Sequence, residues 1–207
     1  MADLTAVILA GGRGSRIDGS EPKWCRILDE RRLLDHVISR VRPQCTSILL
    51  NLNDPTHLAT DPSNGVATAV LADRMSGYPG PLAGIHAALV AMDELALAGD
   101  WLLSVPCDSP FLPLNLAERL LDCTSSEPGK IVFAADPQRM HPVVALWPRG
   151  VKKRLERALE GSNGLSLRRF AETVGYRECR DASWSADHFF NVNTAEDLSN
   201  AERMQRS

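Results

Sequence analysis

An α/β fold, a Rossmann-like three-layer sandwich with a mostly parallel sheet and helices on both faces, is predicted by three features of the 207-residue chain. Apolar runs of strand length alternate with segments of helical period, as crossover connections between parallel strands require. The first run, 4–10, is continuously apolar, which suits a strand buried on both faces. It ends in a glycine-rich loop, and in open α/β sheets ligands bind just beyond the carboxyl ends of the strands. With no internal repeat, low-complexity tract or linker, residues 1–207 read as one domain.

The elements follow in order. After the loop at 11–23, Leu33, Leu34, Val37, Ile38 and Val41 recur at helical spacing, and Pro43 ends that helix. Segments 47–52 and 66–71 read as the second and third strands. A long apolar helix over 82–97 is opened by Gly80-Pro81, since proline suits a first helical turn. Residues 101–105 form a fourth strand that stops at Pro106-Cys107-Asp108. A helix over 114–121, strands over 131–135 and 142–147, and helices over 150–159 and 165–171 follow. Short strands are expected at 174–178 and 188–192. A closing helix starts at Thr194, where Thr194-x-x-Asp197 resembles a capping box with Asp for Glu.

Composition narrows the function. Hydrophobic residues make up 44% of the chain, enough for a sizeable core, and the net charge of −3 argues against nucleic acid as a partner. No stretch is long enough to span a bilayer, and the apolar run at 6–10 is too short and follows Asp3, so neither membrane insertion nor a secretory signal is expected. The five cysteines (Cys25, Cys45, Cys107, Cys123, Cys179) are odd in number and form no C-x-x-C pair, so they read as reduced thiols in a cytoplasmic protein.

Gly11, Gly12 and Gly14 permit positive φ and close backbone approach, so successive N–H groups can cradle phosphate oxygens. Arg13, Arg16 and Lys23 add positive charge. The loop is not a Walker motif, because Ser20 stands where the lysine belongs. Nor is it a dinucleotide fingerprint, because Ile17 fills the third glycine position. The plainer alternative is an ordinary βα turn. Asp108, set between Pro106 and Pro110, can hold Mg²⁺ through carboxylate oxygen with substrate phosphates completing the shell; its alternative is a helix N-cap.

Together, Leu9-Ala10-Gly11-Gly12-Arg13, Lys23, Asn51, Asp73, Gly80-Pro81-Leu82-Ala83-Gly84, Pro106-Cys107-Asp108-Ser109-Pro110, His141-Pro142 and Asn191-Val192-Asn193-Thr194 resemble the molybdenum cofactor guanylyltransferases over nearly the whole length. The glycine start and the Asp motif are shared with nucleotidyltransferases at large. Gly80 to Gly84 and Asn191 to Thr194 are the more specific marks. The resemblance implies transfer of GMP from GTP to molybdopterin with release of pyrophosphate. It implies that Leu9, Ala10, Gly11, Gly12, Arg13 and Lys23 bind GTP and its phosphates. Asn51, Asp73 and Gly80, Pro81, Leu82, Ala83 and Gly84 complete the nucleotide site, with the glycine segment beside guanine. Asp108 binds Mg²⁺, with Arg13, Lys23 and Asp108 as the catalytic set. Asn191 and Asn193 lie toward molybdopterin, their alternative being a turn that caps the last helix. The N-terminal part is then nucleotide-binding and the C-terminal part faces the pterin acceptor. Molybdoenzymes or other cofactor-biosynthesis proteins are the implied partners.

The chain departs from the family pattern at Ile17-Asp18-Gly19, where Met-Gly-Gly is usual, and at Pro22, where an Asp usually precedes the lysine. Pro-Lys is closer to sugar-1-phosphate transferases. A cytidylyl- or sugar-phosphate nucleotidyltransferase is therefore one alternative, and a non-catalytic cofactor-delivery protein is another. Trp24, Trp101, Trp147, Trp184 and His86 read as packing residues, and Lys152, Lys153, Arg154 and Arg157 as a solvated helix face.

Overall fold

The computed structural model describes residues 3–11, 16–17, 21–53, 67–74, 80–125, 129–161 and 165–206. Its centre is a seven-stranded sheet of β1 (Thr5–Leu9), β6 (Ser47–Asn51), β7 (Ala69–Leu71), β8 (Trp101–Pro106), β9 (Ile131–Ala135), β10 (Met140–Pro148) and β11 (Tyr176–Arg180). Across the sheet the order is β11-β9-β10-β8-β1-β6-β7. Each neighbouring pair runs parallel except the two made by β10, which is antiparallel to both β8 and β9. A β-bulge interrupts β10 between His141 and Ala145.

Alternation along β1 splits the core into two layers. Ala6 and Ile8 face α1 (Leu33–Val41) and α3 (Leu116–Asp122). Val7 faces α2 (Pro81–Glu94), α4 (Lys152–Gly161) and α5 (Leu167–Val174) on the other side. This is the predicted three-layer arrangement. Helix α2 is buried almost all round, which its run of Ala, Leu, Ile and Gly permits. Two ribbons of two residues per strand, β2/β3 (Arg16–Ile17 with Glu21–Pro22) and β4/β5 (Ile27–Leu28 with Arg31–Arg32), precede α1. Helix α6 (Ala195–Gln205) closes over the second ribbon through Ala201 and Leu198 against Leu28 and Leu33.

Two expectations fail. The strand expected at 188–192 is a 3-10 turn at Ala186–Phe189 followed by extended chain: Ser185 and His188 cap that turn reciprocally, and the segment joins no sheet among the described residues. The cysteines are not all thiols: Cys123, at the end of α3, and Cys179, in β11, are joined as a disulfide across 56 residues. Cys25, Cys45 and Cys107 keep their thiols. Trp24, Trp147 and Trp184 are packed as expected, at 2% exposure or less. His86 is buried within α2, and the basic face of α4 is largely exposed.

Candidate active site

Backbone pairing runs one residue beyond several strand ends. Ala10 N–H donates to Asn51, Leu52 N–H to Leu71 and Cys107 N–H to Leu9, so Gly11, Asn53, Asp73 and Asp108 share one sheet edge. Two clusters stand on it.

The first is an amide–carboxylate network. Asn51, 3% exposed, donates from Nδ2 to Asp73 Oδ1 at 3.0 Å. Asn53 donates to Asp73 Oδ2 at 2.7 Å and to the Gly11 carbonyl at 2.9 Å. Its own Oδ1 accepts the Asp73 N–H at 2.8 Å. Gly84, in the first turns of α2, packs beneath this network. A Cβ there would stand 2.3 Å from Asn51 Oδ1 and 2.7 Å from Leu9 Cδ2. At Gly11 it would stand 2.9 Å from Asn53 Nδ2. Helix α2 begins at Gly80-Pro81 with no capping side chain and no acidic residue in its first turn. Pro81 has no N–H and Ala83 N–H donates to the Gly80 carbonyl, so within that turn the Leu82 N–H and the positive end of the helix dipole face an incoming anion. Sequence reasoning missed Asn53, whose only signal was its place two residues past Asn51.

The second cluster surrounds Asp108. Lys23, presented by a 3-10 turn (Lys23–Cys25) anchored on buried Trp24, places Nζ 3.6 Å from Asp108 Oδ2 and donates to Asn193 Oδ1 at 2.5 Å. Ser109 Oγ donates to Asn191 Oδ1, and Val192 N–H donates to the Asp108 carbonyl at 2.9 Å. The chain before α6 is thereby tied to the chain after β8. Asp108 caps no helix, since α3 starts at Leu116 with Asn115 at its N-cap. Neither asparagine side chain caps α6, which Thr194 caps with Asp197. Burial pushes the Asp108 carboxyl above its ordinary range, and the Lys23 ammonium only partly offsets this. Its Oδ1 is buried and has no hydrogen-bond partner among the described residues. An orphaned carboxylate oxygen at an edge open to phosphates fits a hard divalent cation that takes few protein ligands. No cluster of three or more His, Cys, Asp or Glu exists among the described residues.

Beside Asp108 lies a cleft of about 170 Å³ lined by Pro106, Met140, His141, Val143, Phe189 and Asn191, among others. A larger groove, about 420 Å³, runs between Gln44 and Asp122 and contains no residue of either cluster. Gly12, Arg13 and Asp18 lie outside the described residues. No helix among those described is long and apolar enough to cross a membrane.

A family model of a MobA-like NTP transferase domain matches residues 6–178. The chain is 40% identical over 203 residues to a molybdenum cofactor guanylyltransferase of Rhodopseudomonas palustris, covering 96% of this chain and 92% of the relative. It superposes on the crystal structure of molybdopterin-guanine dinucleotide biosynthesis protein A from Archaeoglobus fulgidus with a TM-score of 0.76, at 23% identity over 98% of both chains. A Mycobacterium tuberculosis protein solved in complex with manganese shares the fold, with a TM-score of 0.69 and 17% identity over 98% of both chains.

Proposed function

The chain belongs to the MobA-like NTP transferase family, and on that premise we propose that it transfers GMP from GTP to molybdopterin, releasing pyrophosphate. The observation that carries this reading is the meeting of Lys23, Asp108 and Asn193 on the sheet edge that also holds the Asn51–Asp73–Gly84 network. The first 100 or so residues then form the nucleotide side, and the chain from β9 onward turns toward the acceptor.

A phosphate of the acceptor attacks the α-phosphorus in line. One P–O bond forms, the α–β bridge breaks, and pyrophosphate leaves with the electron pair. The attacking phosphate is already ionised near neutral pH, so the residues need only position and neutralise. The N–H groups at Gly11 and at the start of α2 meet the nucleotide, and Arg13 joins Lys23 on its phosphates. Asn51 and Asp73 hold the floor under the base and ribose, with Gly80 to Gly84 beside guanine. Asn193 holds Lys23 forward, and Asn191 and Asn193 line the passage to the acceptor. Mg²⁺ would be held on Asp108, where it supplies charge neutralisation at the phosphate oxygens. Since GTP is a cytoplasmic nucleotide, we place the reaction in the cytoplasm, a reducing compartment in which a disulfide such as Cys123–Cys179 is unusual. Molybdoenzymes that take up the finished cofactor are the natural partners.

Thermal shift with GTP, CTP, ATP and UTP in the presence of Mg²⁺ tests the nucleotide. GTP is expected to give the largest rise, and adding molybdopterin to release pyrophosphate. A preference for CTP would overturn guanine, and tight GTP binding without pyrophosphate release would point to a delivery protein.

A further inference from the structure

The cleft beside Asp108 is lined by His141, which the mechanism above does not use and which is paired with a carboxylate behind it. Asp136, fully buried at the turn between β9 and β10, accepts the backbone N–H groups of Gln138 at 2.6 Å and Arg139 at 2.8 Å. It also takes His141 Nε2 at 2.9 Å. The His141 ring stacks on Phe189 with centroids 4.2 Å apart and planes within 15°. The bulge in β10 starts at His141, and bulges re-aim side chains. The ring is therefore fixed at one nitrogen and on one face. The other nitrogen, Nδ1, has no hydrogen-bond partner among the described residues.

We propose that His141, braced by Asp136, is a specificity residue for the acceptor, its Nδ1 accepting a hydrogen bond from an N–H of the acceptor's heteroaromatic ring. This rests on the reading above and deepens it. Several lining groups are apolar, Pro106, Met140, Val143 and Phe189 among them, which suits a flat ring rather than a phosphate. Asn191 lines the same cleft and is tied to Ser109, next to Asp108. A ring seated there would leave its phosphate tail toward Lys23 and Asp108. The protonation states agree. Burial would raise the Asp136 carboxyl, but the two backbone N–H groups and the His141 ring outweigh it and hold it below the ordinary range. Burial lowers His141 despite Asp136. A carboxylate facing a neutral imidazole puts the proton on Nε2 and leaves a lone pair on Nδ1. Pterins present a ring amide N–H and an exocyclic amine, both donors.

Three variants test this. His141→Phe keeps the stack on Phe189 and removes both nitrogens. His141→Gln can still donate to Asp136 but has no ring acceptor. Asp136→Asn changes the tautomer. The Gln138 and Arg139 N–H groups claim the amide oxygen, the amide NH₂ faces Nε2, and the ring proton moves to Nδ1, donor against donor. For each, the Kd of 6-hydroxymethylpterin is followed by its own fluorescence, alongside KM for molybdopterin and for GTP. We expect both acceptor constants to rise about tenfold, the worth of one lost hydrogen bond, with KM for GTP within about twofold of wild type. Asp136→Asn should match the His141 variants although it removes no ring atom. Acceptor constants within about twofold of wild type in folded variants would overturn the proposal, as would failure of wild type to bind the pterin or an equal rise in KM for GTP. Absence of turnover with His141-dependent pterin binding intact would sink the transfer reaction and leave this assignment standing.

Discussion

Burial raises the proton affinity of Asp108 even with Lys23 beside it, so the ionised carboxylate that a divalent cation needs is held at a cost to the fold. The sign follows from linkage. A carboxyl whose folded pKa is raised stabilises fully below its unfolded value, near 3.8, and that contribution is lost as pH rises through the raised value. Asparagine imitates the protonated form. Asp108→Asn should therefore melt higher than wild type at pH 7.5 in metal-free buffer, and the gap should close as pH falls toward 4. The same variant should lose about 100-fold or more of its turnover and gain no stability from added Mg²⁺. A lower melting temperature than wild type at pH 7.5 would contradict this account of the site. Asp108 was legible in the sequence because two prolines and a strand end announce a carboxylate with a fixed direction. The Asp136–His141 pair was not: its members meet only when the β9–β10 turn closes, and nothing local in the sequence marks His141 except the proline after it. Asn53 was hidden because an asparagine past a strand end is ordinary loop composition.

Small residues let α2 approach β1 and β6. Gly84 is the tightest point, with Asn51 Oδ1 where its Cβ would be. Gly84→Ala must displace Asn51, and Asn51 is tied to Asp73 and through it to Asn53 and Gly11. Overpacking of this kind costs about 1–3 kcal/mol. We expect a fall in Tm and a rise in KM for GTP, with KM for molybdopterin little changed; an unaltered KM for GTP would detach the network from the nucleotide site. The helices and central strands were legible from period and length, and α1 matches its expected span because Leu33 to Val41 give an unambiguous apolar face. The third strand keeps only Ala69–Leu71 among the described residues, being an edge strand with no partner beyond it. The expected strand at 188–192 misled because Phe189 and Val192 are buried without sheet pairing: Phe189 packs against Trp184 and His141, and Val192 lies in the cluster under α6. Apolarity announced burial there, not conformation.

At the scale of the whole molecule, topology does what no local signal can, bringing residues 9, 51, 73 and 108 to one edge and pairing Cys123 with Cys179. The disulfide could not be read from an odd set of scattered cysteines, because it depends on α3 docking against the sheet beside β11. The loop it closes spans 56 residues. Cross-links of that size typically contribute about 2–4 kcal/mol, chiefly by restricting the unfolded chain. In a chain of this length each kcal/mol shifts Tm by roughly 2–4 °C. The bridge joins the end of α3 to the edge strand β11, and neither element contributes a side chain to the clusters around Asp73 or Asp108. Reduction should therefore separate stability from activity. With a thiol reductant, or in the double variant Cys123→Ser with Cys179→Ser, Tm should fall by roughly 5–15 °C while KM for GTP and turnover at 25 °C stay within about twofold. A large loss of turnover in the still-folded reduced protein would mean that β11 and its neighbour β9 transmit strain to the acceptor cleft. An unchanged Tm would mean that the bridge adds nothing to the fold.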